Sequence, residues 1–200
     1  MKLEGYKLIF VAVGLIGVLL IATPAIAAAI PRLPGEAQFS ELYLLGPNQT
    51  AANYPSNVAV GQNYSVYVGV GNQLGSSAYY VLYVKLGNET DALPNNTLGT
   101  PSSLSPLYEY RFSIQNNMNW ESLMNFSVSS ASIAGKNSQI NTLQINGISF
   151  NVDKPAAYNS NSTTFTYRLF FELWRYNVQS SSIQFDSRFV SLNLNLSATT

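Results

Sequence analysis

The residues able to do acid–base chemistry beyond the N-terminal region of this 200-residue chain are few. They are Glu41, Glu89, Asp91, Glu109, Glu121, Asp153, Glu172 and Asp186, with Lys85, Lys136 and Lys154 as amines. Glycoside hydrolysis would need two carboxyl groups held ~5–9.5 Å apart across a sugar, and no spacing singles out such a pair. Glu89 and Asp91, with Asn88 beside them, form the tightest acidic cluster, yet calcium would want more oxygen ligands and a loop of the Asp-x-Asp-x-Asp-Gly kind. Glu109 with Arg111, and Glu172 with Arg168 or Trp174, share strand faces and read as a solvated face or cross-strand ion pairs. An internal Lys–Asn/Asp amide cross-link would need Lys85, Lys136 or Lys154 buried beside a carboxylate.

Composition removes most other chemistries. There is no Cys and no His, so thiol nucleophiles, disulfides, Ser-His-Asp triads and nearly all transition-metal sites are excluded. Ten basic residues cancel ten acidic ones, which leaves no electrostatic reason for a nucleic-acid partner. The expectation is a protein that is not an enzyme, with no catalytic residues, no cofactor and no metal. A carbohydrate-active enzyme stays as a remote alternative.

Asn-x-Ser/Thr occurs seven times, at Asn48, Asn63, Asn88, Asn95, Asn125, Asn161 and Asn195. Composition alone would give ~3–4 such matches. Asn63 and Asn125 fall in or beside strands. Asn48, Asn88, Asn95 and Asn161 fall in turns or loops that a glycosyltransferase can reach, and are the glycosylation candidates. The competing explanation is that Asn simply makes turns.

These residues must be positioned by elements that begin outside the folded domain. Leu8–Ile30 carries no charge over 23 residues, preceded by Lys2 and Lys7. Such a run is long enough to cross a ~30 Å hydrocarbon core. It also ends in Ala25-Ile26-Ala27 and Ala27-Ala28-Ala29, small-x-small patterns after Pro24 that suit signal cleavage. An uncleaved anchor and a cleaved signal both stand, and both place everything after Pro31 outside the cell. A pilin-type start fits less well, because Glu4-Gly5 is followed by Tyr6-Lys7. Residues 1–30 are thus a signal peptide or transmembrane anchor in helical form, and 31–38 a linker in which Pro31 and Pro34 prevent the helix from continuing.

Residues 39–200 read as strands. Alternation marks Phe39–Leu45, Asn63–Gly71, Leu107–Gln115, Trp120–Val128 and the end of Ser182–Leu196. Tyr79–Leu86 is apolar on both faces and so central. Asn146-Gly147 suits a type I′ turn that pairs Ile145 with Ile148 and Leu143 with Phe150. Thr163–Tyr176 is the longest strand. Asp91–Pro106 is a long loop, read as a crossover between sheets or a binding loop. The expected fold is all-β: an Ig-like antiparallel β-sandwich of about eight to ten strands after one N-terminal hydrophobic helix.

Several segments resemble a known family. Phe39-Ser-Glu-Leu-Tyr-Leu-Leu-Gly-Pro-Asn48, Tyr54-Pro-Ser-Asn-Val-Ala-Val-Gly61, Tyr64-Ser-Val-Tyr-Val-Gly-Val70, Ile145-Asn-Gly-Ile-Ser-Phe150 and Leu169-Phe-Phe-Glu-Leu-Trp174 are similar to the archaeal family of domain of unknown function 1616, over most of residues 36–195. The resemblance implies a membrane-associated archaeal envelope domain of Ig-like type and brings no catalytic residues with it. In style, the start, the small β-domain and the sequons are also similar to subunits of archaeal thread filaments, which join by donor-strand insertion. Two readings follow. One is an envelope module tethered through residues 8–30, whose partners are the membrane, envelope proteins, further copies of itself and glycans. The other is a secreted filament subunit that donates an extended segment such as Phe39–Leu45 to a neighbour.

Overall fold

The computed structural model describes residues 38–159 and 164–197, within the compact unit Gln38–Thr200. The expected helix at 8–30, the linker up to residue 37, and Asn161 lie outside the described residues. Ten strands are present: β1 (Phe39–Leu45), β2 (Asn57–Val58), β3 (Tyr64–Gln73), β4 (Ala78–Asn88), β5 (Tyr108–Ile114), β6 (Met118–Ala134), β7 (Asn137–Ile145), β8 (Ile148–Asn159), β9 (Thr164–Asn177) and β10 (Ser182–Ser197). The all-β expectation holds, and the strand number falls inside the expected range.

The strands form one curled sheet in the order β1-β3-β6-β7-β8-β9-β10-β2, with β4 beside β9 and β5 beside β4. The turn of the sheet lies in β8. It pairs with β7 along most of its length but with β9 only at Tyr158↔Phe165 and Asn159↔Thr164. Residues 56–61 tie the two limbs again. Asn57 and Val58 run parallel to Asn195 and Leu196 of β10, and Gly61 N donates to Val128 O of β6 at 2.8 Å.

Period-two alternation does the rest. Val66, Val68 and Val70 of β3 and Met124, Phe126 and Val128 of β6 are buried on one side. They share a single core with Leu82 and Val84 of β4, Leu169, Phe171 and Leu173 of β9, and Leu192, Leu194 and Leu196 of β10. Fully buried aromatics such as Phe165 and Phe171 each remove ~150–250 Å² from water, a contribution of a few kcal/mol apiece. That is how a chain without cysteines holds together.

The Asn146-Gly147 turn forms as read. Both residues have positive φ, 49° and 83°, and Ile145 faces Ile148 while Leu143 faces Phe150. Asn146 then clamps its surroundings. Its backbone N–H donates to Asn125 O at 2.8 Å, its Oδ1 accepts from Asn125 N at 2.9 Å, and its Nδ2 donates to Tyr110 OH at 2.8 Å.

Candidate functional site

The Asp91–Pro106 loop is not a crossover between sheets. It joins β4 to β5, which pair directly from Ala78↔Ile114 to Val84↔Tyr108. Nineteen residues where a short turn would close the hairpin leave a strap, and the strap lies over the sheet. It starts at Asn88, whose Oδ1 accepts from Thr90 N, Thr90 Oγ1 and Asp91 N at 2.9, 2.8 and 3.0 Å. Asp91 Oδ2 in turn accepts from Asn88 N at 2.8 Å and Lys154 Nζ at 2.9 Å. Burial pushes the Asp91 carboxyl up, but the hydrogen bonds from Lys154 and Asn88 outweigh it and hold the group below 3.8.

Further along, Ser102 locks the strap to the sheet. Its backbone N–H donates to Glu172 Oε1 at 2.8 Å, and its carbonyl accepts from Lys85 Nζ at 2.9 Å. Lys85 Nζ also meets Glu172 Oε2 at 2.8 Å, with side-chain exposures of 4% and 0%. Trp174 Nε1 donates to the same oxygen at 3.1 Å. Of the two readings of Glu172, the solvated face is corrected and the cross-strand ion pair holds. Its ion partner is Lys85 on β4 rather than Arg168, and the strap seals both from water. The charges and the strap backbone thus satisfy one another, as burial of an ion pair requires.

Other predicted chemistry is dispersed. Glu89 is exposed, while its neighbour Asp91 is turned to Lys154, so the two carboxyl groups do not share partners. Glu109 pairs with Arg111 at 2.7 Å on an exposed face, as the sequence suggested. Asp186 pairs with Arg175 at 3.0 Å. Glu121 accepts from Gln49 Nε2 at 3.1 Å and Tyr43 OH at 3.5 Å. Burial and then the charge of Glu121 raise the Tyr43 hydroxyl above its usual value. Asp153 accepts from Gln139 Nε2 at 3.3 Å. Among the described residues no group of three His, Cys, Asp or Glu is placed to hold a metal ion. Lys85 does lie buried beside a carboxylate, as a cross-link would need, but the groups it contacts are Glu172 and the Ser102 carbonyl. Lys136 is exposed.

Of the glycosylation candidates, Asn48 sits exposed in the turn after β1 and Asn95 exposed in the strap. Asn95 Oδ1 caps Thr97 N and Leu98 N at 3.0 and 2.9 Å. Asn88 is half-buried, and its Nδ2 donates to Pro155 O at 2.9 Å. Asn63 precedes β3 and Asn125 lies within β6, both exposed. Asn195 Oδ1 accepts from Thr166 Oγ1 at 3.3 Å.

One polar residue had no sequence signal. Asn72, fully buried, ends the inward alternation of β3. Its Nδ2 donates to Ser76 O at 2.8 Å and Ile114 O at 2.9 Å, and its Oδ1 accepts from Leu74 N at 3.1 Å. It fastens the β3–β4 turn to β5. Close by, a cleft of about 600 Å³ is lined by Gln38, Leu74, Tyr79, Arg175, Tyr176 and Val178, among others.

The family described as domain of unknown function, DUF1616, matches residues 34–168. The chain belongs to this family. The match ends within β9, short of the span to residue 195 read from the sequence. It covers β1 through β8, the strap and Lys85, while Glu172 follows it. No curated protein matches this DUF1616 chain. Among solved structures, it is similar to a β-glucosidase from Listeria innocua in complex with glucose, at 10% identity and a TM-score of 0.43, covering 82% of this chain and 17% of that one. It is also similar to the complex of zinc 2-glycoprotein and prolactin inducible protein from human seminal plasma, at 8% identity and a TM-score of 0.34, covering 83% and 99%. A PapD-like domain of human CEP192 matches at 4% identity and a TM-score of 0.29, covering 79% and 84%.

Proposed function

We propose that this DUF1616 protein is a non-enzymatic cell-envelope module. In this reading an Ig-like β-sandwich is carried across a membrane and tethered there by Leu8–Ile30, and it acts by contact with envelope proteins, copies of itself or glycans. The observation that carries the reading is the 23-residue uncharged run, with Lys2 and Lys7 before it and a β-domain after it. Support for a non-catalytic role comes from the ionisable groups. Lys85 with Glu172, Lys154 with Asp91 and Arg175 with Asp186 are each committed to a structural pair. The single core shared by the two limbs of the sheet supports the sandwich. Glycans at Asn48, Asn88, Asn95 and Asn161 complete the proposal.

Intact mass spectrometry of protein from its native host tests it. A chain that keeps Leu8–Ile30 and carries added glycan mass is expected. A mature start near Ala28–Ile30 would rule out the tether.

The second reading, a secreted filament subunit, is favoured by one feature. Among the described residues β1 is a peripheral strand whose ladder is made with β3 alone, from Phe39↔Gln73 to Leu45↔Tyr67. Exchange of β1 between copies would preserve that register. The cleaved mass is its signature, together with loss of polymer on deletion of Phe39–Leu45.

A further inference from the structure

We propose that the end of the domain bearing Phe39, Met118, Tyr176 and Val178 rests in the lipid interface of the membrane that holds Leu8–Ile30, an inference that depends on the tether proposed above. The pairing register puts these residues at one end: Phe39 faces Gln73, Asn72 faces Met118, Ala78 faces Ile114, and Asn177 faces Ser182. Val178 is 79% exposed, Met118 56%, Tyr176 41% and Phe39 39%. Other exposed large apolar side chains, such as Leu98 and Ile148, belong to the strap and to the Asn146-Gly147 hairpin.

Chain length identifies the occupant. The described residues begin at Gln38, at this same end, and Pro31–Gln38 spans at most about 29 Å even when fully extended. In the tethered reading, that length is too short to hold this end of the domain far from the lipid surface.

Chemistry agrees with the placement. The three turns here, residues 74–77, 115–117 and 178–181, contain no charged residue. Of the charged residues near them, two arginines are engaged, while Glu41 on β1 is exposed. Arg175 pairs with Asp186 at 3.0 Å, and Arg188 Nε donates to Ser40 O at 3.0 Å. Turn backbone is costly to bring into low dielectric unless its polar groups are satisfied. Side-chain amides meet much of that need. Asn72 serves the first turn, Asn116 Oδ1 accepts from Gly75 N at 2.7 Å, and Asn177 Oδ1 accepts from Gln179 N and Ser180 N at 2.9 and 3.2 Å. Tyrosine beside aliphatic side chains, on turns without charge, is the composition of a membrane–water interface. The opposite end carries Lys136, Lys154, Asp91 and the candidate glycan site Asn88.

The chain has no cysteine, so single labels are straightforward to place. Full-length protein carrying Val178→Cys with an environment-sensitive fluorophore is reconstituted in phosphatidylcholine vesicles, with Asn48→Cys as the control. Lipids spin-labelled near the headgroup should quench the label at 178 about twofold or more and leave that at 48 nearly unchanged. Flotation of the same vesicles reads the tether separately. Protein that floats without quenching at 178 overturns the tip contact and leaves the tether intact. Protein that does not float overturns both. A blue shift at 178 without quenching means that a second copy of the protein covers the tip, and equal quenching at both positions means that the domain lies on its side. Either result overturns the proposal.

Discussion

Lys85 Nζ lies 2.8 Å from Glu172 Oε2 beneath the β4–β5 strap, and the two side chains are 4% and 0% exposed. The pair joins neighbouring strands, and the Ser102 backbone closes it from above with one donor and one acceptor. A strap of mostly irregular chain is thus held by charge-assisted hydrogen bonds, which are roughly twice as strong as neutral ones.

Removing one member should be far worse than removing both. Glu172→Gln leaves the Lys85 ammonium buried beside a neutral amide, at an expected loss of about 3–5 kcal/mol. Lys85→Met leaves the carboxylate with only its two N–H donors and should cost a similar amount. The double variant Lys85→Met/Glu172→Gln removes both charges but keeps an acceptor for Ser102 N, so it should be more stable than either single variant. Denaturant midpoints for the four proteins check this. Strictly additive losses would show that the charges do not interact.

The sequence anticipated the strands better than it anticipated what covers them. Alternation in β3, β6 and β10 marks the core face because period two is a local property, and the Asn146-Gly147 turn announces itself in two residues. Glu172 read as part of a solvated face or a cross-strand ion pair, and the pair forms, but with Lys85. The burial of Glu172 comes from Ser102, 70 residues away, and no local period carries that information. β2 is two residues long and is defined by its parallel partner on β10, so it has no pattern of its own. Asn72 is polar at an inward position, and its value lies in carbonyls of Ser76 and Ile114 that only the fold brings to it. The site residues were legible as types, while their partners were set by long-range pairing.

Asp91 should shape the acid limb of stability. Its carboxyl is pushed up by burial but held below 3.8 by Lys154 and the Asn88 N–H. A carboxyl depressed in the folded state adds stability that is present above its unfolded value and is lost as pH falls through its folded one. Stability should therefore decline below about pH 4, and Asp91→Asn should flatten that decline. At neutral pH the substitution should cost no more than about 1 kcal/mol, because the pair is partly open to water. Denaturation midpoints from neutral pH down to pH 2 check the slope.

Gly69 makes room for an aromatic ring. It faces Tyr43 across the β1–β3 ladder, and a Cβ built on Gly69 would collide with the Tyr43 ring. The ring covers the glycine and reaches Glu121 through its hydroxyl. Gly69→Val should force the ring away and destabilise the protein by about 1–3 kcal/mol. Tyr43→Ala in the same chain should relieve the clash, so the double variant should lose less than the two single losses added together. Thermal midpoints of the four chains decide it. Since β1 is also the strand whose exchange the filament reading requires, native gel mobility of Gly69→Val gives an independent measure of whether loosening β1 promotes association.

Tyrosines that are buried, or half-buried as Tyr110 is, should set the alkaline limit. Tyr80, Tyr110 and Tyr167 all have hydroxyls raised above 10.0, in each case mainly by burial, with hydrogen bonds to Ser40, Asn146 and Ser138 pulling partly back. A group raised in the folded state contributes stability that is fully present below its unfolded value, and this is lost as pH rises through the folded one. Unfolding should therefore set in above about pH 10, with tyrosinate absorbance from these three rings appearing together with loss of the β-sheet signal rather than before it. Tyr167→Phe is the sharpest probe. At neutral pH it removes the 2.9 Å hydrogen bond with Ser138 Oγ and should cost about 0.5–1.5 kcal/mol. Above pH 10 it also removes one ionisation that favours the unfolded chain, so its deficit should shrink as pH rises. A deficit that stays constant across that range would mean that Tyr167 ionises as easily in the folded protein as in the unfolded one.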